Sequence, residues 1–222
     1  MGRRAYLPGL TVGLIVFGIA APRNPLAAVP AALVAALATT VCLAAHEAGH
    51  LLFGRLSRGV KPRMLVLSSG GGISILEGRH EEPRGAALFA AGGPIASIVA
   101  GVTLLAAGLL LPTGPFAVAL TVPAVITLAV AGLNLLPIAP MDGYALFRSW
   151  LWSNLGNRAE AERRALDWSR VVIVVLLAVS VASCTADGRV TLIALLVCAM
   201  LVAQHHRVFT RMLAESRNSE PR

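Results

Sequence analysis

The chain has 222 residues, 56% of them hydrophobic and only 14% charged, with a formal net charge of +8. Soluble domains hold about 45–50% apolar and about 25% charged residues, so this composition argues against a soluble globular fold, and the lack of long polar tracts argues against disorder. Three cysteines without regular spacing imply no disulfide scaffold.

A helix needs about 20 apolar residues to cross the hydrocarbon core of a bilayer. In chain order the candidates are 7–21, 26–53, 85–111, 116–138, 171–186 and 190–203. The first is short, and with Arg3, Arg4 and the small pair Ala20–Ala21 it also reads as a cleavable leader. Between the second and third spans, the apolar runs 64–67 and 73–76 flank Ser68-Ser69-Gly70-Gly71-Gly72, the pattern of a short β-hairpin. Between the fourth and fifth, Trp150 and Trp152 stand with Arg148, Arg158, Arg163 and Arg164, a segment suited to the membrane interface. The expected fold class is an all-α integral membrane protein with about six transmembrane helices and a short inner-face β-hairpin. Its organisation is a first segment and outer turn (1–25), a membrane core (26–145), an interfacial segment (146–170), two C-terminal helices (171–206) and a basic tail (207–222).

The basic residues set the orientation. With the N-terminus inside, only Arg23 and Arg189 fall outside, and the other 17 of the 19 lysines and arginines fall inside. The expected location is the cell membrane, multi-pass, with both termini cytoplasmic. The positive charge then reads as topology and contact with anionic lipid, and nucleic acid is not an expected partner.

Ionisable groups within a bilayer are costly and are functional candidates by default. One group stands out here. His46-Glu47-Ala48-Gly49-His50 closes the second span. Histidines at i and i+4 share one helix face and can grip one metal ion, and the glutamate after the first is placed to take a proton from a water on that metal. At this composition, chance matches to H-E-x-x-H number about 0.004 for the whole chain, so two merely hydrogen-bonded histidines are the weaker reading. Catalytic zinc usually takes three protein ligands. The fourth span ends Asn134-Leu-Leu-Pro137-Ile-Ala-Pro140-Met-Asp142-Gly143, where the prolines must open the backbone. Asp142 lies there on the same expected side as His46 and His50, and is the natural third ligand.

H-E-x-x-H on one span and N-x-x-P-x-x-P-x-D-G on a later one resemble the site-2 protease family of intramembrane zinc metalloproteases, across roughly residues 30–145. The resemblance implies zinc held by His46, His50 and Asp142, with Glu47 as general base and Asn134 orienting substrate or stabilising the oxyanion. It implies a transmembrane protein substrate, such as an anti-sigma factor or a membrane-tethered transcription factor precursor, cut near the cytoplasmic face. The chain departs from the family pattern in two places. Gly92-Gly93-Pro94 is followed at the family's asparagine position by Ser97, and Tyr144 replaces the last glycine of Asp-Gly-Gly. No segment has room for a PDZ-like domain, so a minimal member is expected.

Two further features carry open alternatives. Gly93 and Pro94, in the third span, either contact substrate or serve helix packing. The hairpin residues Gly71, Gly72 and Ile73 either pair with an unwound substrate strand or form an ordinary loop. A rival reading of the whole is a metal-transporting or metal-sensing membrane protein, because polar groups on a proline-broken span also suit an ion path. Against it, the ligands cluster at one face.

Overall fold

The structure is a computed structural model that describes residues 7–68 and 71–183. These fall into two compact units that divide between Asn134 and Leu135.

The first unit holds α1 (Leu7–Ala20), α2 (Pro25–Gly54), β1 (Val60–Ser68), β2 (Gly71–Gly78), α3 (Pro83–Leu110) and α4 (Pro115–Asn134). Prolines at the first helical position start α2, α3 and α4, where the missing N–H costs nothing and the fixed φ suits the helix. Asn24 caps α2 by accepting from the Ala27 N–H at 3.1 Å. Within the helices, α2 runs through Pro30, α3 through Pro94 and α4 through Pro123 without a break. The three helices α2, α3 and α4 are long and apolar enough to cross a membrane. At 14 residues α1 is apolar but shorter.

Small residues set how closely these helices approach. Added to Gly9 of α1, a Cβ would lie 2.6 Å from the Ala36 carbonyl oxygen of α2. Added to Gly49 of α2, it would collide with the Gly92 carbonyl oxygen of α3 and lie 2.8 Å from the Ala96 Cβ. The α2 and α3 backbones therefore touch directly, the contact that small residues permit between membrane helices. Val12, Val16, Ala31, Ala35 and Ala119 form a buried cluster among α1, α2 and α4.

β1 and β2 pair antiparallel, with Leu65 opposite Ser74 and Ser68 opposite Gly71. The register shifts between Pro62 and Met64, as expected where proline has no N–H for the ladder. Gly59 (φ +79°) and Gly78 (φ +92°) close the base of the hairpin in left-handed conformations that a side chain would strain. The hairpin packs on α2 and is longer than the 64–67 and 73–76 runs predict.

The second unit begins with irregular backbone at 135–141, continues as α5 (Asp142–Leu155) and turns at Gly156 (φ +66°) into α6 (Arg158–Ser183). Asn157 starts α6 by accepting from the Ala159 and Glu160 N–H groups at 2.9 and 3.1 Å. Tyr144 and Leu151 of α5 pack with Ala161, Ala165 and Leu166 of α6. The fourth helix ends at Asn134, four residues before the predicted 138, ahead of Pro137 and Pro140, which together remove two N–H groups within four residues and disfavour helical backbone at the residue before each. α6 is one continuous helix where the sequence suggests an interfacial segment to 170 and a new span from 171. The predicted last span (190–203) and basic tail (207–222) lie outside the described residues.

Candidate metal centre

The helical spacing of His46 and His50 does what the sequence predicts: both imidazoles lie on one face of α2, buried to 8% and 5% exposure. Their Nε2 atoms are 3.2 Å apart, with the rings nearly perpendicular. Each ring is held from behind by α3. His50 Nδ1 lies 2.8 Å from the Phe89 carbonyl oxygen, which can only accept, so Nδ1 carries a proton and Nε2 is the nitrogen left to offer a lone pair to a metal. His46 Nδ1 is hydrogen-bonded to the Ser97 hydroxyl at 2.9 Å.

This arrangement fits a zinc ion. Two nitrogens bound to one tetrahedral zinc at about 2.0–2.1 Å lie roughly 3.3 Å apart, and the observed pair stands at 3.2 Å. Second partners on the far ring nitrogens are what metal-binding histidines ordinarily have. Room for the rings comes from Gly93. A Cβ added there would collide with His50 Nε2 and lie 2.6 Å from His50 Cε1 and 2.8 Å from His46 Cε1. Gly92 faces the α2 backbone and Gly93 the imidazoles, while Pro94 is fully buried in α3.

Glu47, next on α2, is also buried, at 6% exposure. Its carboxylate Oε2 accepts from the Ser74 hydroxyl of β2 at 2.8 Å. Asn134, the last residue of α4, brings its Nδ2 to 3.4 Å from His46 Nε2. The first unit thus gathers His46, Glu47, His50, Asn134 and Gly93 in one place.

Asp142 belongs to the second unit, where it is the first residue of α5. A helix N-terminus favours a carboxylate there. Gly143 after it has a local reason. A Cβ there would collide with the Leu135 carbonyl and lie 2.6 Å from the Leu136 carbonyl oxygen, so the Asp-Gly pair lets the chain after α4 pass close over the start of α5. Tyr144, the departure from Asp-Gly-Gly, is buried and donates its hydroxyl to Glu162 of α6 at 2.6 Å. Arg148 pairs with the other oxygen of the same carboxylate at 3.0 Å.

Gly71, Gly72 and Ile73 open β2, opposite Ser68, Leu67 and Val66. The contacts of Phe89, Ser97 and Ser74 are invisible in the sequence, apart from the signal that a serine in an apolar helix or strand wants a partner. His80, which reads in the sequence as a solvated loop residue, is half-buried. It is hydrogen-bonded to Ser57 at 2.6 Å and packs on Phe89, whose ring also lies against His50.

No family model matches the chain. Two relatives carry the name "Putative zinc metalloprotease". Rip3 of Mycobacterium tuberculosis is 35% identical over 153 residues, 67% of this chain and 38% of that protein. The protein sll0528 of Synechocystis is 33% identical over 128 residues, 57% of this chain and 33% of that one. The chain thus spans less than two fifths of the length of the curated relatives it matches. Among solved structures, a site-2 protease from Methanocaldococcus jannaschii shares the fold, with a TM-score of 0.59 at 18% identity, over 91% of this chain and 87% of that one. A metal-suited histidine pair with its adjoining glutamate, relatives named as zinc metalloproteases and a fold shared with a site-2 protease all agree with the resemblance that the sequence motifs carry.

Proposed function

We propose that this chain is a zinc-dependent endopeptidase that hydrolyses peptide bonds of membrane-spanning proteins inside the bilayer, near the cytoplasmic face. The observation that carries the reading is the convergence of the His46 and His50 Nε2 atoms at 3.2 Å on a buried helix face, with Glu47 beside them. His46, His50 and Asp142 are the ligand set, two imidazoles and one carboxylate, a donor set that suits catalytic zinc. The substrate is a membrane-spanning regulatory protein, such as an anti-sigma factor or a membrane-tethered transcription factor precursor. The protein is a multi-pass membrane protein with both termini cytoplasmic, which the 17-to-2 distribution of basic residues supports.

When bound, zinc supplies a Lewis acid that polarises the scissile carbonyl and lowers the pKa of a water at the site. Glu47 takes the proton from the attacking water on its carboxylate and hands it to the leaving amine nitrogen. Asn134 Nδ2, beside His46 Nε2, donates to the oxygen that gains charge as the carbonyl is attacked. His50 is held in one tautomer by Phe89, so its Nε2 keeps its direction through turnover. An extended substrate strand aligns along the hairpin at Gly71, Gly72 and Ile73, while Gly93 leaves room for the two imidazoles and the buried Pro94 serves the packing of α3. Burial of Glu47 and both histidines limits the water that reaches them.

The direct test is Glu47→Gln in detergent-purified protein. It is expected to retain zinc and to cut no transmembrane peptide that wild type cuts. Full activity in a zinc-replete Glu47→Gln variant would overturn the mechanism.

A further inference from the structure

We propose that Ser74 is a positioning residue for the general base, so that the aim of Glu47 depends on how the hairpin is seated. The inference rests on the protease reading and extends it to a residue outside both sequence motifs. β2 alternates in the usual way: Ser74 and Leu76 are half-buried, while Ile75 and Glu77 between and after them are exposed. An inward position on a strand read from apolar residues would ordinarily hold an aliphatic side chain. Here it holds a hydroxyl, and that hydroxyl reaches Glu47.

The geometry is specific. Ser74 Oγ lies 2.8 Å from Glu47 Oε2 and 3.0 Å from the Glu47 backbone carbonyl oxygen. The hydroxyl has one proton to give, and the carboxylate oxygen, nearer and charged, is the stronger of the two acceptors, so the bond that aims Glu47 is the one to Oε2. Glu47 is 6% exposed, so this contact does for it what solvent does for a surface carboxylate. Ser74 is itself carried in register, opposite Leu65 of β1, so the point from which its hydroxyl reaches Glu47 follows the seating of the hairpin. A peptide strand drawn along the hairpin would therefore shift or settle the base through a single hydrogen bond, and the two motions are mechanically joined.

The test uses the full chain, purified in detergent with zinc. The probe is a synthetic transmembrane peptide with a fluorophore and a quencher on either side of a helix-breaking segment. Ser74→Ala is expected to lower kcat about tenfold, the scale of one hydrogen bond to a charged group, with KM within about twofold and zinc content unchanged. Ser74→Thr, which keeps the hydroxyl and suits a strand, is expected to restore most of the turnover. Undiminished kcat in Ser74→Ala, or a loss that Ser74→Thr does not recover, would overturn the proposal.

A second readout does not depend on turnover. Modification of Glu47 by a hydrophobic carbodiimide, followed by mass spectrometry, is expected to speed up several-fold in Ser74→Ala and to stay near the wild-type rate in Ser74→Thr. An unchanged rate in Ser74→Ala overturns the proposal even if the wild type proves to be a protease. A wild type that holds no zinc and cuts no peptide, with the labelling difference intact, would remove the protease reading and leave the contact standing.

Discussion

Ser97 of α3 and His46 of α2, 51 residues apart in the chain, are joined by a 2.9 Å hydrogen bond between a hydroxyl and Nδ1. This hydroxyl occupies the position where the family pattern has an asparagine. Serine both donates and accepts, so it can serve His46 in either tautomer. Were Nε2 to hold zinc, Nδ1–H would donate to Ser97, which would fix the angle of the ring. Ser97→Ala is expected to weaken zinc binding about 10- to 100-fold, the usual cost of losing such a partner, in a chelator competition titration. Ser97→Thr should stay close to wild type, and an Ala variant with unaltered affinity would show that α2 alone aims the ring.

Zinc content itself divides the ligands. Wild-type protein is expected to carry about one zinc per chain, and His46→Ala, His50→Ala and Asp142→Ala to lose most of it, measured by atomic emission after extensive dialysis. Asp142→Ala that binds zinc as tightly as wild type would exclude Asp142 from the ligand set.

Gly93→Ala separates space from chemistry, because it removes no functional group. The added methyl would meet both imidazoles, so the rings must turn or α3 must retreat. A marked fall in zinc affinity is expected. Gly132→Ala on α4 is the control, since nothing lies within 4 Å of a Cβ there. That change should leave zinc alone and stabilise the helix by about 0.5–1 kcal/mol. Equal behaviour of the two variants would mean that Gly93 serves helix packing only.

Tyr144→Phe tests why a bulky ring follows Asp142-Gly143. The ring should still fill the α5–α6 core, while Glu162 keeps only Arg148. A loss of about 1–2 kcal/mol is expected, read as a lower thermal midpoint with zinc content unchanged. No change in the midpoint would reduce the Tyr144–Glu162 bond to an incidental contact.

The sequence discloses these features unevenly, for physical reasons. The alignment of His46 with His50 is legible because helical geometry is local: four residues make about one turn wherever the helix lies. The opening of the chain after α4 is legible, to within four residues, because Pro137 and Pro140 stand close together and each removes an N–H, although the single prolines at 30, 94 and 123 are passed without a break. The hairpin is legible from apolar runs around glycines, though not its reach from Val60 to Gly78, which depends on pairing between distant residues. The partners of the reactive groups are another matter. Whether His50 meets Phe89, Ser97 meets His46, or Ser74 meets Glu47 depends on how α3 crosses α2 and on the seating of the hairpin, and neither is encoded in any short window. His80 shows the same limit. Between charged residues it looks solvated, yet Ser57 and Phe89 draw it inward.

The direct backbone contact between Gly49 and Gly92 has one more consequence. With no side-chain layer between them, α2 and α3 cannot slide past one another by a residue without driving a methyl or an imidazole into main chain. The histidine-bearing helix and the helix that buttresses it must therefore travel as one block. Any opening of the site has to be borne by elements outside that block.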